Sequence, residues 1–455
     1  MTEVLEKKRA QVAGYRRSFS HLPSGGEWLA KLRKAGIDRF ESTGFPCTCL
    51  EEWRLTNVAP IAQTPFVLAE QPADLSAAAA MASRYGFGAD AAAELVFVNG
   101  HYAPSLSRPG KLPRGVTAMS LAGAIEQEPD ALEQSLGKYA DASKNPFVAL
   151  SDGFIKDGAY VHLARSTAVH KPIHLLFIST TGEAPAVSHP RNLIVAEENT
   201  EATIVESYVG QAGIYWTNAV TEIVAGADSR LDHCKLQQEG LPAFHVATMN
   251  VHAGRSARFV SHSATLGAAL SRNDLTVTMA GERADATLNG LVLVGGKQHA
   301  DNHTLLDHAQ PNCPSHELYK HVLSDQSTGV FKGKILVRQP AQKTDSKQTS
   351  KSLLLSDLAT MNSQPALEIY ADDVKCTHGS TTGPVDEEMV FYLRSRGVGL
   401  EAARHLLTYA FAADITRRVR VEPVRRRLED FLAAQHGLPR DLRITDLGSH
   451  DEAAL

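Results

Sequence analysis

Four short stretches of sequence decide the fold: Asn-Thr-Glu-Ala at 199–202, Gly-Ala-Asp-Ser at 226–229, Gly-Arg-Ser-Ala at 254–257 and Gly-Glu-Arg-Ala at 281–284. Their starting positions show that the stretches return at an almost constant interval, and each ends in a small residue. An apolar residue follows two positions later, on the same face of a strand because side chains alternate between faces. These residues are Ile204, Leu231, Phe259 and Ala286. So steady a return predicts a solenoid whose stacked coils bury one column of side chains.

The rest of the chain divides around this repeat. Residues 146–385 consist of short β-branched runs separated by Gly, Asn, Asp and Ser, which are typical of strands and turns. A β-sandwich would space its strands by about 8 to 12 residues and would not produce so long a return. We therefore expect a mainly β protein with a β-helix core at 146–385. A mixed, mainly helical region at 1–145 and a helical region at 386–455 would flank it.

Several helices are predicted in the flanking regions. Residues 75–85 and 89–95 are rich in alanine, which favours helices. Asp386 is suited to cap a helix that runs through Leu393 and stops at Gly397. Two amphipathic helices should follow. Their apolar positions are Ala403, Leu407, Phe411, Ile415 and Val419 in the first, and Val424, Leu428, Phe431 and Leu432 in the second.

Composition narrows the range of functions. The 455 residues carry 46 Lys plus Arg against 51 Asp plus Glu, a net charge of −5 that argues against a dedicated nucleic-acid binder. The first residues lack the apolar segment of a secretory signal, and no stretch approaches the roughly 20 apolar residues of a membrane helix. Five cysteines over this length do not suggest a disulfide framework. We expect a protein of the reducing cytoplasm.

The most pointed candidate for chemistry is Asp-Asp-Val-Lys-Cys-Thr-His-Gly at 372–379. On a strand, Cys376 and His378 would share a face, with α-carbons roughly 6.5 to 7 Å apart. Thiolate and imidazole together suit iron, zinc or an iron–sulfur cluster. A four-iron cluster needs four protein ligands, so Asp372, Asp373 or another chain would have to supply the rest. The structural alternative is a buried cysteine beside a histidine that bonds the backbone.

A second group, Gln-His-Ala-Asp-Asn-His at 298–303 with His308 further on, has the residue types of a metal site. Its spacing matches no closed zinc signature, and a structural role within the solenoid is favoured. Cys47 and Cys49 form a Cys-x-Cys pair without a second pair at metal spacing, so ordinary thiols are expected.

Two further features have structural interpretations. The segment Glu-Glu-Trp-Arg at 51–54 is a docking surface or a helix with one buried tryptophan. For a group of arginines near the C-terminus, a solvated helix face is expected first, a protein contact second and nucleic acid a distant third. These are Arg417, Arg418, Arg420, Arg425, Arg426 and Arg427. The chain has no phosphate-binding loop of the G-x-x-x-x-G-K-[ST] type, no dinucleotide fingerprint and no nucleophile elbow, so we do not expect it to hydrolyse ATP.

The sequence strongly resembles the SufD family, a subunit of the SUF iron–sulfur cluster assembly scaffold. The resemblance rests on Leu-Glu-Ile-Tyr-Ala-Asp-Asp-Val-Lys-Cys-Thr-His-Gly at 367–379 and Phe-Tyr-Leu-Arg-Ser-Arg-Gly at 391–397. It is dense from about 190 to 415 and looser around 51–54. Supporting stretches are Arg-Asn-Asp-Leu at 272–275, Ala-Asp-Asn-His-Thr at 300–304, Gly-Val-Phe at 329–331, Ala-Gln-Lys-Thr-Asp at 341–345 and Gln-Thr-Ser-Lys at 348–351.

The resemblance implies a right-handed parallel β-helix within a complex of one SufB, one SufD and two copies of the ATPase SufC. It implies that the C-terminal helical region receives SufC and that the β-helix pairs with that of SufB. The family's cluster-forming residue at the SufB junction corresponds to His378, with Cys376 beside it as a weaker candidate. The chain would then be a scaffold subunit without ATPase activity, and its transient iron–sulfur cluster would be shared with SufB.

Some properties of this family member are left open by the sequence. Flavin binding in the complex and homodimer formation by the isolated chain are two of them. The family segment before the Glu-Glu-Trp motif is usually basic or polar, so Cys47 and Cys49 depart from it and receive no role.

Two other classes of function are consistent with parts of the sequence. One is an independent metalloenzyme that uses His299, His303 and His308. The other is a β-helix enzyme acting on carbohydrate. Tightly held metal in the purified single chain would favour the metalloenzyme.

Overall fold

Two long parallel β-sheets form the body of the protein. The computed structural model describes residues 12–20, 22 and 26–435. Successive strands alternate between sheet A and sheet B, so each pair of strands makes one coil, and about eight coils stack into a parallel β-solenoid. The expected mainly β fold with a solenoid core and helical flanks is confirmed.

The strand bounds follow from this alternation. Sheet A contains β1 (Val67–Leu68), β4 (Val116–Ser120), β5 (Ala159–Leu163), β7 (Ala186–Ser188), β8 (Arg191–Ala196), β10 (Tyr215–Ala225), β12 (Phe244–Ala253), β14 (Leu270–Met279), β16 (His299–His308), β18 (Thr328–Val337), β20 (Thr360–Ser363) and β21 (Ala366–Ile369). Sheet B contains β2 (Ala93–Val98), β3 (His101–Tyr102), β6 (Ile173–Ser179), β9 (Glu201–Gly210), β11 (Arg230–Gln238), β13 (Arg258–Thr265), β15 (Asp285–Val294), β17 (Pro314–Leu323), β19 (Asp345–Leu354) and β22 (Lys375–Gly383).

The turns at the corners of the coils explain the sequence repeat. They also show that the first of the four stretches was aligned incorrectly with the other three. One residue per corner has φ between +56° and +59°, and it recurs once in each of four successive coils: Asn199, Asp228, Ser256 and Arg283. The first three donate their backbone N–H groups to the next coil at 2.8 Å. Ala202 consequently pairs with Leu231 rather than with Ser229, so the first quoted stretch is two positions out of phase. The backbone conformation fixes the corner, and asparagine and aspartate tolerate it well.

The core lies between the two sheets. Ala202, Leu231, Phe259 and Ala286 form one register column and are almost completely buried. Neighbouring columns carry aromatic and aliphatic side chains from both sheets. Stacking repeats these columns from coil to coil, which is why the apolar residues return at coil length.

The N-terminal region closes one end of the solenoid. Besides helical residues 12–19, it contains α1 (Glu27–Thr43), α2 (Ala59–Gln63), α3 (Ser76–Tyr85), α4 (Leu121–Gln127), α5 (Pro129–Ser135) and α6 (Pro146–Gly153), with 3-10 helices at Glu51–Trp53, Gly88–Asp90 and Pro104–Leu106. The helix expected at 75–85 is confirmed. The helix expected at 89–95 is wrong, because β2 is fully buried there beside β6. Parallel pairing in the core outweighs the helix propensity of alanine.

A buried ion cluster attaches this region to sheet A. The Arg191 guanidinium is 2.7 Å from Glu222 and 3.1 Å from Asp152 of α6, and all three side chains are buried. Glu222 also accepts backbone N–H groups from Gly137 and Tyr139. Burial raises the pKa of Asp152 to about 6.

As far as residue 435, where the described part of the chain ends, three helices follow β22: α7 (Glu387–Ser395), α8 (Leu400–Thr416) and α9 (Glu422–Gln435). The Asp386 carboxylate accepts the backbone N–H groups of Glu388 and Met389, and Gly397 has φ +88° just after α7, as the sequence predicted. The helices pack on the outer face of sheet B. None of the described helices is long and apolar enough to cross a bilayer. The expectations for residues 1–11, 21, 23–25 and 436–455 lie outside the described residues.

Candidate functional site

Strand β22 is the terminal strand of sheet B at the C-terminal end of the solenoid, which we call the open end. It pairs with β19 on one side, and within the described ranges no strand pairs with its other side. Most of its residues are exposed. Lys375 donates its backbone N–H to Thr344 at 2.8 Å. In a parallel ladder the even-numbered residues then direct their N–H and C=O groups to the open end, and these include Cys376 and His378.

The two candidate ligands project from the same face of β22. Cys376 stands opposite Ser346, and His378 stands opposite Gln348. Cys376 is half-buried against the end of the main core, whereas His378 is exposed. Burial, with a contribution from Asp345, raises the pKa of the Cys376 thiol. The pair therefore lies at the mouth of the space between the sheets, with the thiol protonated until a cation or partner charge displaces its proton.

Polar groups continue beneath His378. Gln348 donates to Glu317 through a 2.7 Å hydrogen bond, and both side chains are buried. Burial raises the pKa of Glu317 to about 7, although Thr304 and Gln348 oppose the shift. Sequence reasoning missed these residues. Glu317, Gln348 and His378 form one register row across three successive coils, so extending the repeat beyond the first four corners would have identified them.

The acidic residues before β22 are exposed. Asp373 forms an ion pair with Lys343, and its backbone N–H donates to Gln342 at 2.9 Å. Asp372 is also exposed in the same turn. Among the described residues no three His, Cys, Asp or Glu side chains come together as a metal centre. Within the described residues, the two candidate ligands Cys376 and His378 therefore have no third donor beside them.

The second histidine group belongs to an interface inside the chain. His299 lies 2.9 Å from Thr56, and His303 lies 3.1 Å from Asp301. The side chains of His299 and His303 lie on the outer face of sheet A. His308 lies on the opposite face of the same strand, and its Nε2 atom is 3.0 Å from the Ser315 hydroxyl. Because the three imidazoles face opposite sides of a sheet, they do not share one ion. The favoured structural role fits this arrangement.

An arginine occupies the middle of that interface. Arg272 is 2.6 Å from Asp301 and stacks on Trp53, with 4.2 Å from its guanidinium carbon to the ring centroid. Burial opposes protonation of His303, but the carboxylates of Asp301 and Glu52 outweigh it and raise the His303 pKa. His303 and Lys332 in turn lower the Glu52 pKa to about 2 against the effect of burial. The Glu-Glu-Trp segment is therefore a docking element within the chain.

The chemical state of Cys47 and Cys49 differs from the one that the sequence predicted. Cys47 and Cys49 are joined in a disulfide, with α-carbons 5.2 Å apart. The turn brings them within the usual range for such a bond, so the expectation of two ordinary thiols is wrong.

The arginine group is divided between different surroundings. Arg425 and Arg426 pair with Glu422 on α9, while Arg427 lies over the rings of Tyr85 and Phe87. The group is therefore not one solvated face.

Comparison with known proteins identifies the family of this chain. The family model "SUF system FeS cluster assembly, SufBD core domain" matches residues 177–411, and the model of the SufBD protein N-terminal region matches residues 21–175. The chain belongs to the SufBD family of iron–sulfur cluster assembly proteins. The core match spans nearly the whole solenoid, β22 and most of α8.

Individual relatives match this chain over most of their length. An iron–sulfur cluster assembly SufBD family protein of Synechocystis is 32% identical over 94% of each chain. The iron–sulfur cluster assembly protein SufD of Escherichia coli is 31% identical over 85% of this chain and 88% of its own. Protein ABCI7, chloroplastic, of Arabidopsis thaliana is 28% identical over 88% of this chain and 85% of its own. The resemblance to the SufD family drawn from the sequence is confirmed.

Proposed function

We propose that this chain acts as a SufD-type scaffold subunit on whose open end a nascent iron–sulfur cluster is assembled. One observation carries the proposal: Cys376 and His378 share a face of the end strand β22, whose outer edge pairs with no strand among the described residues. Two donors hold a cluster weakly, so a cluster built there can also be released. His378 is the principal ligand because it is exposed, and Cys376 is the secondary one.

We propose SufB as the partner that completes the site. The even-numbered residues of β22 direct unpaired backbone groups outward, and a long unpaired edge is a template for another strand. A partner solenoid that pairs with this edge would also cover the mouth and bring further ligands within reach. The cluster is the cargo of the complex and is shared between the two subunits.

We propose the C-terminal helices as the docking region for the ATPase SufC. Met389, Phe391 and Tyr392 of α7 are exposed, as is Leu400 at the start of α8. Clustered exposed apolar side chains are a common feature of protein interfaces. ATP binding by SufC would then shift α7, which directly follows β22, and so alter access to the cluster site. The chain itself would serve as a scaffold in the cytoplasm rather than as an enzyme.

The proposal predicts that His378→Ala lowers cluster yield markedly. The chain should be co-purified with SufB and SufC and reconstituted anaerobically with iron and sulfide, and the bound iron should be measured by absorption and metal analysis. Loss of an exposed ligand should reduce the yield several-fold, and Cys376→Ala should reduce it less.

His316→Ala is the matched control, because His316 is an exposed histidine on β17 in the register row next to that of His378, on the opposite face of sheet B. It should leave the yield unchanged. Equal yields from wild type and His378→Ala would remove His378 from the site. Accessibility of Cys376 to a thiol reagent that did not change with nucleotide would contradict the coupling to SufC.

A further inference from the structure

A polar cavity lies where the α8–α9 connection crosses the outer face of sheet B. Its volume is about 150 Å³. Three adjacent coils form its floor. Asp232, Val260 and Thr287 make one register row, and His262 and Asn289 belong to the next row. The cavity is remote from β22, since β17 and β19 lie between.

Cationic side chains dominate the walls of this cavity. Arg258 enters from β13, and Arg418 and Arg420 enter from the connection between the two helices. Arg258 forms no ion pair with any described residue, and Arg420 approaches Asp232 only to 3.7 Å. Arg418 pairs with Asp414 at 3.2 Å. Three guanidinium groups therefore face one lining carboxylate, which excludes a metal cation as the natural occupant and favours an anion.

A buried hydrogen-bonding group on the floor lacks a partner. The Nδ1 atom of His262 is inaccessible to solvent and makes no hydrogen bond within the described part of the chain, and the whole residue is 8% exposed. Burial, together with His233, Arg418 and Arg420, lowers the His262 pKa to about 4. The neutral ring can still donate one N–H. Buried polar groups are almost always satisfied, so an unpaired one in a polar cavity points to an occupant.

We propose that this cavity is a binding site for a tetrahedral oxyanion of the phosphate class. Arginine guanidinium groups bind phosphate oxygens through two parallel hydrogen bonds, and His262 and Asn289 would supply further contacts from the floor. On the same measure of volume one water needs about 10 to 15 Å³, so the cavity has room for such an ion and several waters.

Binding there would join two parts of the molecule. Arg258 and His262 belong to the solenoid, whereas Arg418 and Arg420 belong to the helical region that follows the open end. An anion bonded to both sets would hold the α8–α9 connection against sheet B. The site accordingly couples the concentration of a phosphate-bearing ligand to the position of these helices.

The test is a titration of the full chain with inorganic phosphate, sulfate and ADP, each in chloride at matched ionic strength. Binding should be followed by calorimetry, and the unfolding temperature should be measured in parallel because a ligand of the folded state raises it. We expect saturable binding at one site. Arg258→Gln and Arg420→Gln should each weaken it by about tenfold, as expected for loss of a charged hydrogen bond.

Arg255→Gln is the control, because it removes the same charge from an exposed corner that is paired with Asp228. It should bind like wild type. Tighter binding of phosphate than of ADP would identify the free ion, and the reverse order would identify a nucleotide phosphoryl group. No saturable binding of any of the three ligands, or equal affinity in all variants, would overturn the proposal.

Discussion

Glu317 shows how a single residue depends on its place in the stack of coils. It lies two coils beneath His378 and is enclosed on all sides, with Gln348 between them. In the sequence it is an ordinary glutamate on an alternating strand. Glu317 is buried by residues of the preceding and following coils, which are a full coil away along the chain. A local sequence pattern contains no information about these neighbours.

The raised pKa of Glu317 predicts a specific pH dependence of stability. The pKa is 4.5 for the free side chain and about 7 in the folded chain, so the folded state holds a proton that the unfolded state has released between these values. Wild-type stability should therefore fall as pH rises from about 4.5 to about 7, by at most about 3 kcal/mol. Glu317→Gln cannot titrate and should lose this part of the pH dependence.

Urea unfolding of wild type and Glu317→Gln at about pH 5 and about pH 7.5 would measure the effect. The variant should match wild type at the lower pH and exceed it at the higher pH. Glu282→Gln, at an exposed glutamate in a coil corner, should follow wild type throughout. A variant with the wild-type pH dependence would show that Glu317 is already ionised in the folded protein.

Among the secondary-structure elements, the sequence predicted most reliably those with local signals. The Asp386 cap and the Gly397 stop define α7 closely, because capping depends on neighbours along the chain. The sequence pattern favours a helix where β2 lies, because the burial of β2 is decided by β6, which is distant along the chain. The shared face of Cys376 and His378 was predictable from strand alternation, whereas the disulfide at 47 and 49 depended on a turn that the sequence pattern does not define.

The open edge of β22 predicts how assembly can be blocked without touching a ligand. Ser380 directs its backbone N–H outward, and its hydroxyl bonds Ser363 at 2.9 Å. Ser380→Pro removes the outward N–H and should abolish co-purification with SufB, because proline cannot donate to a new ladder. Ser380→Ala removes only the hydroxyl and should assemble normally.

Size-exclusion chromatography of the mixed subunits would distinguish these outcomes, with circular dichroism to verify that each variant is folded. Normal assembly by Ser380→Pro would mean that the partner does not pair with this edge. Failure of both variants would mean that the hydroxyl, rather than the backbone, is the contact.

At the scale of the whole molecule, the solenoid depends on its N-terminal region for a large covered surface. The N-terminal region packs on the outer face of sheet A. It is held there by the Arg191 cluster and by the stacking of Trp53 on Arg272. The repeat predicted the solenoid, but these contacts join residues that are far apart along the chain. Charge pairing over such distances leaves no trace in a local sequence pattern.

The Arg191 cluster predicts a strong effect of a neutral substitution. Arg191→Met would leave Asp152 and Glu222 buried without their cation, which costs about 3–5 kcal/mol of unfolding free energy. Urea denaturation would show the loss as a lower midpoint. Arg255→Met breaks an exposed pair with Asp228 and should cost less than about 1 kcal/mol. Equal midpoints for Arg191→Met and wild type would show that the cluster does not hold α6 in place.

The two ends of the solenoid present strand edges of different length, and this difference bears on whether chains can associate end to end. One end terminates in the short antiparallel strands β3 and β4, which offer little edge for a further chain. Within the described residues, the end with β22 therefore offers the longer edge for pairing. If two chains pair at β22 as proposed, each leaves its short-stranded end facing the solvent, so we expect a pair and not a fibre.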